Sequence, residues 1–363
     1  WIAVQVGASD PMKAWRPELF GQTLAALSRQ TTAGYVFIGT EEERKAIHLA
    51  QTTYRKSGGT GPLCDAVGKT SLPQLAAVLS QCRLLLTNDT GPMHLAVGVG
   101  TPVIDLSVGH VDFRETGPYG PGHWMVQPDL GCAPCGFDQV CFHHACKDRI
   151  VPDQVAALCL HVLAGVPFPR SISGVRIYRS CADEDGLGNT ELQAGREDLL
   201  VDWYGRFWRR FWFEEFTGRP SQVPCDHEPS PDCSDALAVL EHLKPLAKKL
   251  VSNAEELVRL TTKRPLPVSA LQQMQRLETA ERQQIVALSM QSPAAASLAV
   301  AMVRDTHNDD GHELTGLAQS RLATYRRWHK RLQAVSNSFR SFTAAQGSVR
   351  RGKTRQLPMA RSA

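Results

Sequence analysis

The residues best suited to chemistry lie in two short loops of the first hundred residues. Gly7-Ala8-Ser9-Asp10-Pro11-Met12-Lys13 follows the apolar run 2–6, and Asn88-Asp89-Thr90-Gly91-Pro92-Met93-His94 follows the apolar run 84–87. Each begins where a strand-like run ends, which is where ligands bind in open α/β sheets. In the first loop small residues let backbone amides approach phosphate oxygens, and Lys13 offers a compact positive charge; a solvated lysine is the alternative. In the second, Asp89 or Thr90 can cap a helix, Gly91 allows close approach, and Pro92 suits a first helical turn. Unpaired amides would then face an anion. His94, four residues past Thr90, either shares that face or satisfies the loop's own backbone.

Two further groups could bind metal. Cys132-x-x-Cys135 is followed by Cys141 and Cys146, with His143 and His144 between them. That spacing admits a tetrahedral thiolate or iron–sulfur site. The second pair is not CxxC, however, and free or redox-paired thiols shaping a loop are the preferred reading. Asp183-Glu184-Asp185 has the form of a cation-holding pair, but it precedes no predicted strand, so a solvated turn is preferred.

The elements that must position these loops follow from periodicity. Runs 2–6, 35–38, 84–87 and 103–106 are apolar throughout, which suits parallel strands covered on both faces. Helical patterns cover 19–30, 42–56, 72–81 and 92–97 between them. The alternation predicts an α/β, doubly wound parallel sheet over residues 1–166. Residues 167–233 are expected to form a connecting segment. It carries Trp203, Tyr204, Phe207, Trp208, Phe211, Trp212, Phe213 and Phe216 on mostly one helical face, a core stripe or else a lipid- or sugar-facing one. Its end, 225–233, reads as a linker. Residues 234–345 are expected to be a helical appendage, with helices over 235–264, 269–289 and 314–339, and 346–363 a basic disordered tail.

Composition narrows the partners. A hydrophobic content of 42% supports a sizeable core, and no apolar stretch reaches the ~20 residues of a membrane span. The net charge of +4 is too small to imply nucleic acid. Its distribution is more informative: no acid follows Glu313, whereas basic residues run from Arg321 to Arg361. That end is either solvated or a peripheral contact with an anionic inner membrane. Ten cysteines without a secretory signal point to a reducing cytoplasm. The chain opens on the strand-like Trp1-Ile2-Ala3-Val4-Gln5-Val6, which leads to the expectation that the natural N-terminus lies further upstream.

Thr87-Asn88-Asp89-Thr90-Gly91-Pro92-Met93-His94-Leu95-Ala96 with Gly100-Thr101-Pro102-Val103 resembles the signature of family 9 glycosyltransferases, the heptosyltransferases of the GT-B fold. Gly7-Ala8-Ser9 with Lys13-Ala14-Trp15-Arg16-Pro17 is similar to the family's Lys-x-Trp-Pro segment, apart from the extra Arg16. Gly39-Thr40-Glu41 and Gly68-Lys69-Thr70-Ser71-Leu72 resemble its next two loops. The resemblance implies one Rossmann-like half of a GT-B fold. Ser9 and Lys13 would meet the diphosphate of an ADP-sugar, Glu41 the ribose, and Thr70 would lie near adenine. Asp89, Thr90 and Gly91 would hold phosphate and sugar hydroxyls, with His94 close behind. It also implies an inverting, cofactor-free and metal-independent transfer of heptose or a related sugar to a lipid-linked lipopolysaccharide core acceptor. The general base is expected in a preceding N-terminal half. A nucleotide-binding interaction module and a nucleotide-sugar epimerase are the competing functions.

Overall fold

The four uninterrupted apolar runs form the centre of a sheet. In the computed structural model, which describes residues 1–136, 140–168, 172–196, 199–221, 232–307 and 313–353, they become β1 (Ile2–Gln5), β2 (Tyr35–Ile38), β4 (Leu84–Thr87) and β5 (Val103–Leu106). Every residue of these four strands is buried. The reason is two-sided cover. Ile2, Val4, Leu84, Leu86, Ile104 and Leu106 pack with Phe20, Leu24 and Leu27 of α1 (Pro17–Ser28), Ile47 of α2 (Arg44–Lys56), and Val155 and Leu158 of α7 (Pro152–Ala164). Ala3, Val36, Ile38, Leu85 and Val103 pack on the other face with Leu75 and Leu79 of α3 (Leu72–Ser80) and Met93 and Ala96 of α4 (Gly91–Gly98). Two short helices, α5 (Phe113–Thr116) and α6 (Ala145–Arg149), complete this part of the chain.

The remaining strands are β3 (Leu63–Asp65), β6 (Trp124–Pro128), β7 (Val175–Ala182) and β8 (Gly188–Ala194), and the sheet order is β3-β2-β1-β4-β5-β6-β7-β8. The first six strands are parallel, while β7 and β8 run antiparallel beyond β6. The chain reverses its direction of sheet growth between β1 and β4. That reversal opens a crevice outside their carboxyl ends, the position of ligand sites in doubly wound folds.

The sheet does not stop at 166. Two strands fall inside the segment expected to be a connector, because a polar antiparallel hairpin at a sheet's edge lacks the continuous apolar run of a central strand. Asp183–Gly186 is the turn of that hairpin: the Gly186 amide donates to the Asp183 carbonyl (2.9 Å) and the Leu187 amide to Asp185 Oδ1 (3.0 Å). The first compact unit spans Trp1–Glu197 and the second Asp198–Ala363.

The second unit is helical: α8 (Leu199–Thr217), α9 (Ser234–Thr261), α10 (Val268–Ser289), α11 (Pro293–His307) and α12 (Leu314–Lys353). Trp203 and Phe207 of α8 stack 5.6 Å apart and share a core with Leu240, Leu243, Leu298, Trp328 and Phe339. The aromatic stripe is therefore core over most of its length, each large buried side chain contributing about 1.5–3 kcal/mol; Phe216 stays exposed. The linker read at 225–233 falls largely outside the described residues, and Cys233 at its end is buried in this core.

The basic end differs from expectation in two ways. The helix α12 continues to Lys353, so residues 346–353 are helical; 354–363 lie outside the described residues. Moreover, Arg326, Arg331 and Arg340 pair with Glu255 (2.7 Å), Glu215 (2.8 Å) and Glu241 (2.7 Å), and Arg321 lies 3.7 Å from Glu278. Counting charge along one helix overlooked acids carried by its neighbours. These four arginines thus face acids of neighbouring helices, Arg331 from a buried position and Arg326 and Arg340 from exposed ones. Among the described residues no helix is long and apolar enough to cross a membrane.

Candidate functional site

The crevice between β1 and β4 is built by the two loops singled out from sequence. After β1, Asp10 caps a short 3-10 turn, Pro11–Lys13, by accepting from the Met12 amide (2.8 Å). Lys13 closes that turn half-buried, while Ser9 is exposed. After β4, Thr90 occupies the N-cap position of α4 without a side-chain cap bond, its hydroxyl turned to the Asn88 carbonyl (3.2 Å). A Cβ on Gly91 would meet nothing within 4 Å, so the backbone at the start of α4 can be approached closely, although Pro92 carries no N–H and the Met93 amide donates to the Thr90 carbonyl (3.0 Å). His94 is exposed on the same turn.

Asn88 joins the two loops. Its Oδ1 accepts from the Trp15 amide (2.9 Å), and its Nδ2 donates to the carbonyls of Val6 (2.8 Å) and Gly7 (3.2 Å). The side chain is fully buried, so these bonds are shielded from water and fix the distance between the Lys13 turn and the start of α4. Sequence reasoning quoted Asn88 but gave it no role. A third loop, after β5, also belongs to the site. Gly109 adopts φ +68°, and a Cβ there would lie 2.4 Å from the Met12 carbonyl oxygen, so only glycine lets this loop close on the Lys13 turn. Further along, Thr116 of α5 donates its hydroxyl to the largely buried Asp89 carboxylate, orienting it.

Glu41 and Thr70 stand on the loops after β2 and β3, farther along the same sheet edge. Arg44 grips Glu41 through two hydrogen bonds (2.5 and 2.7 Å) and reaches Asp65 (3.0 Å) and the Val67 carbonyl (3.0 Å). The Arg44 guanidinium holds the exposed Glu41 carboxyl below the usual carboxylate range. Thr70 is half-buried just before Ser71, whose capping box with Gln74 starts α3. Glu43, missed from sequence, accepts from Gln5 Nε2 (2.9 Å) and the Thr40 amide (2.7 Å). The smallness of Gly7 serves this carboxylate: a Cβ there would stand 2.0 Å from Glu43 Oε1.

The cysteine loop braces the site from outside. Lys147 Nζ donates to the Pro11 carbonyl (2.6 Å), Trp15 Nε1 donates to the Lys147 carbonyl (2.8 Å), and Arg16 makes a two-point contact with Asp148 (2.7 and 3.1 Å). The extra Arg16 thus has a structural partner. Burial pushes the Cys135 thiol up, with Cys132, Cys146 and Cys141 adding to it, so those three lie within electrostatic reach of Cys135. Among the described residues no three His, Cys, Asp or Glu side chains are grouped as metal ligands would be.

A buried acid completes the inventory. Asp105, the lone charge inside the strand Val103-Ile104-Asp105-Leu106, is fully buried beside Thr87, and Ser107 Oγ donates to its Oδ2 (2.5 Å). Its position inside an apolar run was the signal that could have marked it.

Residues 1–145 match the sequence model of glycosyltransferase family 9 (heptosyltransferase). The chain is 50% identical over 117 residues to the lipopolysaccharide core heptosyltransferase OpsX of Haemophilus influenzae, covering 31% of each protein. It is 26% identical over 158 residues to lipooligosaccharide heptosyltransferase 2 of Campylobacter jejuni subsp. jejuni, covering 42% of this chain and 48% of that one. The chain therefore spans about half, or less, of the length of these relatives. A solved structure of E. coli ADP-heptose lps heptosyltransferase II superposes with a TM-score of 0.38 at 20% identity, over 45% of this chain and 46% of that one.

Proposed function

We propose, on the premise that residues 1–145 are a glycosyltransferase family 9 domain, that this chain supplies the donor side of a sugar transfer from an ADP-sugar, heptose or a close relative, to a lipid-linked lipopolysaccharide core acceptor. The observation that carries the reading is the convergence of the Lys13 turn and the N-terminus of α4 at the β1/β4 crevice, joined through Asn88. Cleavage of the donor builds oxocarbenium character on the sugar and negative charge on the departing diphosphate. Lys13, the turn around Ser9 and the amides at Thr90 and Gly91 stabilise the latter, with a helix terminus contributing about 0.3–1 kcal/mol besides the lysine's charge. Asp89, oriented by Thr116, and His94 meet sugar hydroxyls. Glu41, held by Arg44, is set for the ribose, and Thr70 lies toward the base. The transfer is inverting and metal-independent in this reading.

The general base comes from outside this chain. Asp89 is engaged by Thr116, Glu41 by Arg44, and Glu43 by Gln5 and the Thr40 amide. General-base catalysis contributes typically ~10²–10⁴-fold and acceptor positioning adds more, so this chain is expected to bind donor without measurable turnover. Calorimetry with ADP tests the site: Lys13→Ala weakens binding by about 1–3 kcal/mol, the range for a charge-assisted hydrogen bond. Unchanged affinity removes Lys13 from the site. Turnover of ADP-heptose by this chain with a heptose-deficient core acceptor would place the base within it.

A further inference from the structure

The crevice is floored by a row of polar side chains that the transfer reading leaves without a task. Gln5, Thr87 and Asp105 are direct neighbours in register across β1, β4 and β5, all buried, on the face that α4 covers. A β-strand residue at the carboxyl end of a buried parallel sheet is ordinarily apolar. Here two acceptor atoms in the row, Gln5 Oε1 and Asp105 Oδ1, have no hydrogen-bond partner among the described residues. Buried polar atoms left unsatisfied cost free energy and mark places where an ordered water, a proton or a ligand supplies what is missing.

The groups facing Asp105 are few. Ser107 of its own strand end donates to Oδ2. Asp89, from the loop after β4, adds negative charge, and Lys13, from the loop after β1, opposes it. Burial outweighs the stabilising contacts, so that the carboxyl is pushed up to about 7. Near neutral pH, Asp105 is therefore a mixture of protonated and ionised forms before any anion binds. Lys13 is the same charge that the proposed site uses for the diphosphate.

We propose that Asp105 is a proton-holding positioning residue of the diphosphate site: a diphosphate bound at Lys13 adds negative charge beside it, and Asp105 takes up a proton from solvent as the anion arrives. Neutral Asp105 no longer competes for Lys13, whose charge then acts wholly on the phosphates, and the protonated oxygen becomes a further donor in a row whose Gln5 amide and Thr87 hydroxyl are already committed to Glu43 and the Asn88 carbonyl. The carboxyl acts through Lys13 and touches no reacting atom. This inference rests on the donor-site reading.

The test is calorimetry of the full chain with ADP and EDTA, in pairs of buffers with different ionisation enthalpies, between pH 6.5 and 8.5. Wild type is expected to take up part of a proton, approaching one above pH 7, with ADP affinity falling toward tenfold per pH unit, the limit for a single linked proton. Asp105→Asn abolishes the uptake and flattens the pH dependence, holding at pH 8 the affinity that wild type has at pH 6.5. Ser107→Ala, which removes the hydroxyl favouring the ionised carboxyl, moves the onset of uptake to higher pH. Uptake that persists unchanged in Asp105→Asn, or binding to wild type without uptake, overturns the proposal while the donor site stands. Failure of wild type to bind ADP at all overturns the donor-site reading, and this inference with it.

Discussion

The two units treat buried charge in opposite ways. In the helical unit each buried acid among the described residues has a cation within 4 Å. Glu278 accepts from the Tyr325 hydroxyl and lies 3.7 Å from Arg321, Glu281 takes Lys249 (2.8 Å) and Asn253, and the buried Arg331 spans Glu215 (2.8 Å) and Asp305 (3.0 Å). In the sheet unit Asp105, the one fully buried acid among the described residues, has only a serine hydroxyl and the charge of Lys13 to set against its burial. Paired charge inside a bundle fixes how helices register. An acid left short of partners at the carboxyl edge of a sheet raises the energy of its own ionised form, and sites of chemistry are where such arrangements gather.

The contrast fails at once if removing charge has the same sign in both places. Arg331→Ala should destabilise the helical unit by about 3 kcal/mol, the lower end of the range for breaking a buried pair, since Glu215 and Asp305 retain some access to water. The Arg331 guanidinium also lies 5.3 Å over the Trp212 ring, which adds to the loss. Chemical denaturation followed by tryptophan fluorescence reads the change. A cost below about 1 kcal/mol would mean that the pairing only decorates the bundle.

The opposite sign is expected at Asp105. Its folded-state pKa lies above the ordinary carboxylate value, so between pH 5 and 7 the folded protein holds a proton that the unfolded chain has released. Stability of the sheet unit must then fall as pH rises through that window and level off above about 7. Asp105→Asn is expected to remove this fall, gaining about 3 kcal/mol over wild type at pH 8 relative to pH 5, at about 1.4 kcal/mol per unit of pKa. Hydrogen exchange of the β4 and β5 amides measures it locally. Equal pH dependence in both proteins would show that the carboxyl is ionised at no cost.

The smallest effect sharpens the helical side. Burial would push Glu241 up, but Lys244, Ser336 and Arg340 outweigh it and bring the carboxyl down to about 2. Its contribution is therefore present above about 4.5 and is lost as pH falls toward 2, the reverse of Asp105. Because the pair with Arg340 is partly exposed, Arg340→Gln should cost under about 1 kcal/mol at neutral pH and less still in high salt. A salt-independent loss would assign Arg340 a packing role.

What could be read from sequence divides along a physical line. Strands β1, β2, β4 and β5 were legible because burial on both faces demands unbroken apolar runs. The three-residue β3, the part-polar β7, whose buried run includes Arg176 and Ser180, and the polar, half-exposed β8 satisfy no such demand. The loop at Asn88–His94 was legible because Asn, Gly and Pro carry local conformational meaning. The joining role of Asn88 was not, since its partner Trp15 lies 73 residues away, and neither was the grip of Thr116 on Asp89 across 27 residues. The acids that meet the arginines of α12 were not legible for the same reason: they belong to other helices, one of them 116 residues distant.

The brace between the Lys13 turn and the segment at Lys147 also imposes an order of events. Pro11, Trp15 and Arg16 each wait for partners made 132 to 136 residues later. Loop closure over such a span is slow and is rewarded only once both ends are docked. On the ribosome, the strand that leads into the turn can pair long before the turn itself is held. The outer brace is thus a late product of synthesis, and a nascent chain halted before residue 147 would hold the Lys13 turn by Asp10 and Asn88 alone.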